Sequence, residues 1–261
     1  MGLEFAGRGV PMTALGLAEC AETLGVHAPE VWAVLTVETR GCGFLPDRRP
    51  LILFERHIFH RETAGRHDAV APDISQPTMG GYGGGGAVQY ERLLRAIALD
   101  RRAALRSASW GIGQVMGFNA EEAGFASAEA MVTAMSDAED VQLRAMVGEI
   151  VTRKLHRSLG VHDWTSFARG YNGKDFAVNQ YDTRLAAAYS RFAQGLLPDL
   201  TVRAAQIYLV YLGFDPGPVD GTLGRRTRSA VVDFQQRQGL TSSGNLDDPT
   251  LEQLRVRAGC G

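Results

Sequence analysis

One segment of helical length, residues 29–40, is mostly apolar and is expected to be buried wherever it lies in the fold. Pro29 suits the first turn of a helix, where its missing N–H leaves no bond unmade. Val31, Val34 and Leu35 recur at helical spacing and mark an apolar face. The segment therefore predicts a helix packed inside a larger, mostly helical unit.

Glu38 falls next on that apolar face, in the last turn of the predicted helix. Gly41 and Gly43 are expected to end the helix just beyond it. Burial and the negative end of the helix dipole both disfavour an ionised carboxylate, so both should raise the pKa of Glu38. A Glu that stays protonated near neutral pH can act as a general acid. The alternative is a solvated Glu in a fraying last turn, because perturbed carboxylates only sometimes mark active sites.

Residues 1–197 as a whole are predicted to be mostly helical. Apolar residues recur at helical spacing in five segments separated by Gly-, Pro- or Asp-containing turns: 12–25, 29–40, 89–107, 127–157 and 176–195. The short apolar run 51–54 is compatible with a strand or with a buried turn. Residues 77–86 are too rich in glycine for regular structure, and they form either a flexible surface loop or a mobile lip over a cleft.

A linker at 195–199 leads to a second unit that contains an internal repeat. Residues 221–227 and 244–250 share the pattern Gly-x-Leu-x-x-x-Thr, and each copy predicts a glycine turn that leads into a helix. The expected helices span 202–212, 226–238 and 249–257, with Thr201, Thr227 and Asp248 as capping residues near their starts. We therefore expect two domains, 1–197 and 200–261, each with its own core and each able to fold alone.

Composition argues against several classes of function. The formal net charge of −2 gives no general electrostatic reason to bind nucleic acid. No apolar run approaches the length of a membrane span, and residues 1–5 lack the pattern of a secretory signal. The cysteines Cys20, Cys42 and Cys260 are too few for a disulfide framework and fit synthesis in a reducing cytosol. We expect a monomer that neither binds nucleic acid nor inserts into a membrane.

The second unit carries a series of motifs in a fixed order. They are Ala205-Gln206-x-x-Leu209, Pro218-Val219-Asp220-Gly221, Gly224-x-x-Thr227, Phe234-Gln235 and Gly239-Leu240. In this order they resemble the three-helix peptidoglycan-binding domain of cell-wall hydrolases, over residues 200–256. Core and turn roles explain most of these positions. The resemblance implies bacterial peptidoglycan as the partner, with wall contacts in the loops around Asp220 and Arg228.

Longer motifs occur in the first unit. They are Val37–Phe44, Arg49–Phe59, Pro72–Ser75, Gly80–Tyr82, Ser109–Asn119 and Tyr171–Gly173. Together, over residues 12–193, they resemble the lysozyme-like N-acetylmuramidase domain of phage endolysins. In that family a wall-binding module often precedes the catalytic domain, whereas here it follows. The resemblance implies a glycosidase that needs no cofactor. Such a protein would accumulate in the host cytoplasm and reach the periplasm and cell wall through a pore made by another protein.

The resemblance also implies a pair of catalytic carboxyl groups, as glycosidic cleavage normally requires. Glu38 would protonate the leaving oxygen. Glu55, which stands directly after the apolar run 51–54, is the second candidate and would hold a water, attack the sugar or stabilise the transition state. The alternative for Glu55 is an ion pair with Arg56 or another neighbouring arginine.

Two further motifs imply contacts with the substrate. Residues 109–119 resemble the Ser-x-Gly-x-x-Gln segment that lines the cleft of goose-type lysozymes and lytic transglycosylases. Residues 171–173 resemble the Tyr-Asn segment at the floor of the same cleft, although Asn before Gly is also an ordinary turn. The substrate-binding residues implied in this way are Ser109, Gln114, Tyr171 and Asn172, with Tyr82 of the glycine-rich segment as a sugar-stacking candidate.

The expected function is hydrolysis of the β-1,4 bond between N-acetylmuramic acid and N-acetylglucosamine, which lyses the host. A lytic transglycosylase would use the same cleft but form a 1,6-anhydro product, and a second carboxylate at Glu55 favours hydrolysis. A zinc amidase or peptidase would need metal ligands, and His57-x-x-His60 is not the His-Glu-x-x-His zinc pattern. Cys42 lacks a convincing His–Asn partnership for a nucleophile, so it is interpreted as a packed thiol. A non-catalytic wall-binding protein is the third alternative.

Overall fold

The structure, a computed structural model, describes residues 3–39 and 42–260. Helices dominate these ranges, which confirms the mostly helical prediction. The N-terminal region contains α1 (Ala14–Leu24), α2 (Ala28–Thr39), α3 (Arg56–Glu62), α4 (Val88–Leu99), α5 (Arg101–Arg106), α6 (Ala128–Met135), α7 (Glu139–Thr152), α8 (His156–Gly160), α9 (Trp164–Asn172) and α10 (Tyr181–Gln194). The C-terminal module contains α11 (Leu200–Tyr211), α12 (Arg225–Gln238) and α13 (Asp248–Arg257). None of the helices in the described ranges combines the length and the apolar character that crossing a bilayer would require.

Helix α2 is the predicted apolar helix, and the structure buries it on every side rather than along one face. Every residue from Val31 to Leu35 is at most 2% exposed. Helix α2 packs against α1 and, most extensively, against α10. The prediction of a single apolar stripe was therefore too narrow, because a helix enclosed by neighbours is apolar all round. The helix ends at Thr39, while Gly41 lies outside the described residues.

A three-stranded antiparallel sheet lies next to the helices, in the order β1 (Ile52–Phe54), β2 (Ala108–Trp110) and β3 (Val115–Met116). Leu53 lies opposite Ser109, and Ser109 lies opposite Met116. The apolar run 51–54 thus forms a strand. Strands β2 and β3 were not predicted, because three and two residues are too few to show alternation.

Two of the predicted helices are interrupted. The side chain of Asp100 accepts a hydrogen bond from Ala103 N and starts α5, which divides the predicted helix 89–107. The predicted helix 127–157 is divided at 136–138, where Ala138 forms a β-bridge with Val10, and again at 153–155, before α8. At the first break a single polar residue ends one helix and caps the next, and at the second Ala138 is itself apolar, so neither of these two breaks interrupts the apolar periodicity.

Helices α3 and α9 were missed altogether. Helix α9 contains both Tyr171 and Asn172, and only Gly173, with a φ of 84°, leaves the helical conformation. The turn considered as the alternative role for Asn172 therefore begins one residue later, at Gly173. The glycine-rich segment 77–86 contains neither helix nor strand, as predicted.

The C-terminal module has a small core of its own, formed by Ala205, Tyr208, Leu209, Ala230, Val231, Phe234, Leu254 and Ala258. Its internal repeat corresponds to two buried glutamines. Gln206 Oε1 accepts from Gly221 N, and its Nε2 donates to Thr227 Oγ1. Gln235 makes the equivalent bonds to Gly244 N and Thr250 Oγ1. Each glutamine therefore joins its own helix to the glycine turn and the start of the next helix.

The predicted helix caps of the module were wrong by a few residues. Asp199, not Thr201, accepts the first N–H bonds of α11, and Asp247, not Asp248, caps α13. Helix α12 follows Gly224, which has no side chain to cap it, whereas Thr227 is buried and donates to Pro216 O. An aspartate placed ahead of the first turn reaches the free N–H groups better than a residue already inside the helix.

Candidate active site

A cleft of about 290 Å³ lies where the end of α2 meets the sheet and α9. Five of the predicted site residues line it: Glu38, Glu55, Gln114, Tyr171 and Asn172. The cleft is also lined by residues that the sequence analysis did not select for it, including His57, Met79, Asn119, Glu149 and Arg153. The structure therefore brings both predicted carboxyl groups into one cavity from positions that are distant in sequence.

Glu38 lies in the last turn of α2 and is partly buried. Its pKa is raised to about 7, mainly by burial and to a smaller extent by the negative charge of Glu149. Asn172 opposes the shift, because its Nδ2 donates to Glu38 Oε1 at 2.9 Å, and so does the charge of Arg184. The predicted upward shift is present and burial is its main cause, so a large fraction of Glu38 stays protonated near neutral pH.

Glu55 lies at the junction between β1 and α3, where its backbone N donates to Ser107 O at 2.8 Å. Burial raises its pKa to about 6, while a hydrogen bond from Tyr82 and the charge of Arg92 lower it. Burial therefore raises the pKa of both carboxyl groups, and the shift is larger for Glu38 than for Glu55. The alternative interpretation placed Glu55 in an ion pair with Arg56 or another neighbouring arginine. Arg56 instead donates through its Nε to Thr78 O.

His57 adjoins Glu55 in the cleft. Its Nδ1 lies 3.1 Å from Glu55 Oε2, but the two atoms lack hydrogen-bond geometry, and both are buried without a partner. Burial lowers the pKa of His57, so the imidazole is neutral near neutral pH. Glu55 Oε2 is therefore left able to accept a hydrogen bond from a molecule that enters the cleft.

Gln114 and Ser109 shape the wall of the cleft. Gln114 has a φ of 50°, and its Nε2 donates to Gly111 O at 2.9 Å. Its Oε1 accepts from Ser109 Oγ at 2.7 Å, while Ser109 itself is buried behind it. These bonds hold the turn between β2 and β3, where Gly111 also has a left-handed φ of 69°. Direct contact of Gln114 and Ser109 with a sugar remains a prediction.

Tyr171 and Asn172 form the floor of the cleft. The Tyr171 hydroxyl donates to Gly113 O at 2.6 Å, which joins α9 to the turn between β2 and β3. Asn172 holds Glu38 through its Nδ2, and its Oδ1 is buried without a hydrogen-bond partner. Asn172 therefore positions the carboxyl group, and its free carbonyl oxygen can still accept from a bound molecule.

Tyr82 connects the glycine-rich segment to the cleft. Its side chain interacts electrostatically with Glu55, and burial together with the charge of Glu55 raises the pKa of Tyr82 to about 12. Its backbone oxygen accepts from Gln89 Nε2 at 2.7 Å and from Arg92 Nη1 at 2.9 Å. The segment is thus held at Tyr82, and Met79 of the same segment lines the cleft. Sugar stacking on Tyr82 remains a prediction.

Glu149 on α7 is a third carboxyl group in the cleft and was missed in the sequence. It is 4% exposed, accepts from Asn119 Nδ2 at 2.8 Å and lies 3.1 Å from Arg153 Nη1. Burial raises its pKa to about 7. The available signal was a carboxylate between Met146 and Ile150 on the apolar side of a predicted helix, the same signal that identified Glu38.

The two predicted wall-contact residues lie in the module. Asp220 Oδ1 accepts from Gln206 Nε2 and from Thr222 N, so this oxygen supports the glycine turn. Arg228 is exposed, and its Nη1 lies 3.3 Å from Asn245 Oδ1. Their contact with the cell wall remains a prediction.

The other chemistries considered find less support in the described residues. In this part of the chain, no group of three or more His, Cys, Asp or Glu side chains is placed to hold a metal ion. The Cys42 thiol lies 3.4 Å from Phe44 O, and burial raises its pKa to about 11. Such a thiol is a weak nucleophile, which agrees with its interpretation as a packed residue.

Comparison with known proteins identifies both units. A family model for N-acetylmuramidase matches residues 27–193, and a model for a peptidoglycan binding domain matches residues 199–254. Among solved structures, the chain is similar to the crystal structure of the Burkholderia AP3 phage endolysin. The two are 39% identical, with a TM-score of 0.64, over 70% of this chain and 71% of that chain. The comparison with curated proteins found no significant match. Because the muramidase model covers more than half of the chain, the protein belongs to the N-acetylmuramidase family.

Proposed function

We propose that this protein is an endolysin that hydrolyses the β-1,4 bond between N-acetylmuramic acid and N-acetylglucosamine, and so lyses its host. The observation that supports it most is the pair of carboxyl groups in one cleft, with pKa values of about 7 for Glu38 and about 6 for Glu55. Glycoside hydrolysis needs one carboxylic acid and one carboxylate on either side of the bond. Between the two pKa values, the protonated form of Glu38 and the ionised form of Glu55 are both well populated.

Glu38 is the general acid in this proposal. Asn172 holds Glu38 Oε1, which leaves the second oxygen to carry the proton toward the glycosidic oxygen. The charge of Glu149 disfavours the Glu38 anion and therefore helps to keep that proton in place. As the bond breaks, the proton moves to the leaving oxygen and positive charge develops on the sugar ring.

Glu55 is the second carboxyl group. Its Oε2 is buried without a hydrogen-bond partner, and in this proposal it accepts from the attacking water or, after rotation of the side chain, attacks the sugar carbon. If Glu55 activates water, the two carboxyl groups should be roughly 6.5–9.5 Å apart in the complex, and the anomeric centre should invert. If Glu55 attacks the sugar, the anomeric centre should be retained. The anomer first released from a soluble oligosaccharide distinguishes the two routes.

The remaining predicted contacts complete the proposal. Gln114, Ser109 and Tyr82 would hold the glycan along the cleft, and the unpaired Oδ1 of Asn172 would accept from a sugar hydroxyl or acetamido N–H. Residues 1–197 would form the catalytic domain, and residues 200–261 would hold the enzyme on the wall through loops near Asp220 and Arg228.

The proposal extends to the oligomeric state of the protein and to the route by which it reaches the cell wall. We infer a monomer without a cofactor that accumulates in the host cytoplasm. It would reach the periplasm and the cell wall through a pore made by another protein, and the similarity to a phage endolysin supports this route. Sedimentation of the purified protein tests the oligomeric state, and lysis on co-expression with and without a pore-forming protein tests the route.

Product analysis tests the reaction. Purified peptidoglycan is digested with the wild type and with Glu38→Gln, and the released muropeptides are analysed by mass spectrometry. Hydrolysis predicts N-acetylmuramic acid at the new reducing ends, formed by the wild type and not by the variant. A 1,6-anhydro product, which lacks one water, would instead identify a transglycosylase, and new free amino groups would identify an amidase or peptidase.

A further inference from the structure

The C-terminal module contacts the catalytic domain through a buried ion pair. Arg203 of α11 and Glu139 of α7 are both fully buried, and they meet in two hydrogen bonds of 2.6 and 2.7 Å. The Arg203 guanidinium also lies 5.9 Å from the ring centre of Trp32, on the helix that carries Glu38. A buried charge is strongly unfavourable unless it is paired, so removing either side chain alone should lower the free energy of unfolding substantially.

Glu139 connects that ion pair to the backbone of the catalytic domain. Its Oε2 accepts from Met12 N at 2.8 Å, and its Oε1 accepts from Gly43 N at 2.9 Å. Each carboxylate oxygen therefore receives one backbone N–H and one guanidinium N–H. The charge also lies at the N-terminus of α7, where the helix dipole favours an anion.

Gly43 stands between the two catalytic carboxyl groups in the chain. It follows α2, which ends just beyond Glu38, and its carbonyl accepts from Leu51 N at 2.8 Å, directly before the strand that leads to Glu55. A side chain at Gly43 would clash with Gln142, because an added Cβ would lie 1.9 Å from Gln142 Oε1. The position of Gly43 is therefore held by its contacts with α7.

We propose that Arg203 is a positioning residue for the active site, supplied by the wall-binding module. Arg203 neutralises Glu139, Glu139 accepts from Gly43 N, and Gly43 O accepts from Leu51 N directly before the strand that leads to Glu55. The module is thus part of the framework of the catalytic cleft as well as the part that holds the wall. Independent folding of the two domains stays a prediction. The inference rests on the proposed function for the catalytic role of the two glutamates.

A second contact between the same two units provides a matched control. The Tyr211 hydroxyl donates to Gly9 O at 2.8 Å, so it also joins the module to the N-terminal region. That bond does not involve Glu139 or Gly43. The Tyr211 ring also packs against Arg48, whose guanidinium lies 5.3 Å from the ring centre. Tyr211→Phe keeps that ring and removes only the hydroxyl bond to Gly9, so it should weaken the interface and leave the bond from Gly43 N to Glu139 in place.

The test uses the full chain as wild type, Arg203→Met, Arg203→Lys and Tyr211→Phe. Each variant is first shown to be folded by circular dichroism, and kcat and KM are then measured on short soluble glycan oligomers. We expect kcat to fall about tenfold or more in Arg203→Met with a smaller change in KM, and to recover in part in Arg203→Lys, which keeps the charge. Tyr211→Phe should lower the melting temperature and leave kcat unchanged. An unchanged kcat in folded Arg203→Met would overturn the proposal.

Hydrogen–deuterium exchange tests the same inference without enzyme activity. Peptides that contain Gly43 should exchange faster in Arg203→Met, or in Arg203→Lys if the Met variant does not fold, than in Tyr211→Phe. Equal exchange in the Arg203 and Tyr211 variants would refute the positioning role. Absence of turnover by the wild type would contradict the proposed function instead, and the exchange measurement would still decide the role of Arg203.

Discussion

Replacing Glu38 with Gln should make the protein less active and, above neutral pH, more stable. The pKa of Glu38 is about 7 in the fold and 4.5 in its ordinary environment. At about 1.4 kcal/mol per pH unit, ionised Glu38 lowers the free energy of unfolding by about 3 kcal/mol. The folded pKa is raised, so this loss of stability is absent below pH 4.5 and complete only above a pH of about 7. Gln cannot ionise, and its carbonyl oxygen can still accept the bond from Asn172.

The assay compares wild type and Glu38→Gln in urea unfolding at about pH 5 and about pH 8, with Glu19→Gln as the control. Glu19 is an exposed carboxylate on α1, so its replacement should change neither stability nor activity by much. The free energy of unfolding of Glu38→Gln should exceed that of the wild type by more at about pH 8 than at about pH 5. Its turnover should fall at least about a hundredfold. An equal stability difference at both pH values would refute the burial argument, and turnover close to that of the wild type would refute general acid catalysis by Glu38.

Three further outcomes are expected. Glu55→Gln should lose most of its turnover while still binding sacculi in a pelleting assay; a small effect on rate with a large drop in melting temperature would indicate a structural role. As the pH increases, kcat/KM should rise as Glu55 ionises, with a pKa of about 6, and fall as Glu38 ionises, with a pKa of about 7. A constant kcat/KM across this range would contradict the roles of Glu38 as acid and Glu55 as carboxylate. Gln206→Leu and Gln235→Leu should each lower the free energy of unfolding by about 1–3 kcal/mol, because a buried backbone N–H group loses its acceptor. Gln236 is exposed, so Gln236→Leu should leave the stability unchanged. Equal thermal denaturation of the three variants would contradict this role of the two buried glutamines.

Features set by local sequence were the ones that could be predicted. Helical periodicity and apolar burial identified α2 and placed Glu38 at its end, and the repeated glycine turns identified the three helices of the module. The strand that positions Glu55 was visible as the apolar run 51–54. Each of these signals lies within a single element, where spacing along the chain determines which face a side chain occupies.

Features created by tertiary packing could not be predicted from the sequence. Arg203 and Glu139 are both charged residues, which are normally solvated, and no local pattern indicates that they pair across two units. Glu149 reaches the cleft only because α7 packs against β3. The position of Asn172 on Glu38 likewise depends on the approach of α9, a helix that the apolar pattern did not show.

The contact between Cys260 and Arg8 has a consequence for chain connectivity. Cys260 Sγ lies 3.4 Å from Arg8 O, so positions near the two ends of the described chain are neighbours in space. The connection at 195–197 is exposed, with Leu196 97% exposed. A circular permutant opened there, with a short linker from 260 to 8, would place the module first and keep the same interface. One three-dimensional arrangement is therefore compatible with both orders of the two units along the chain.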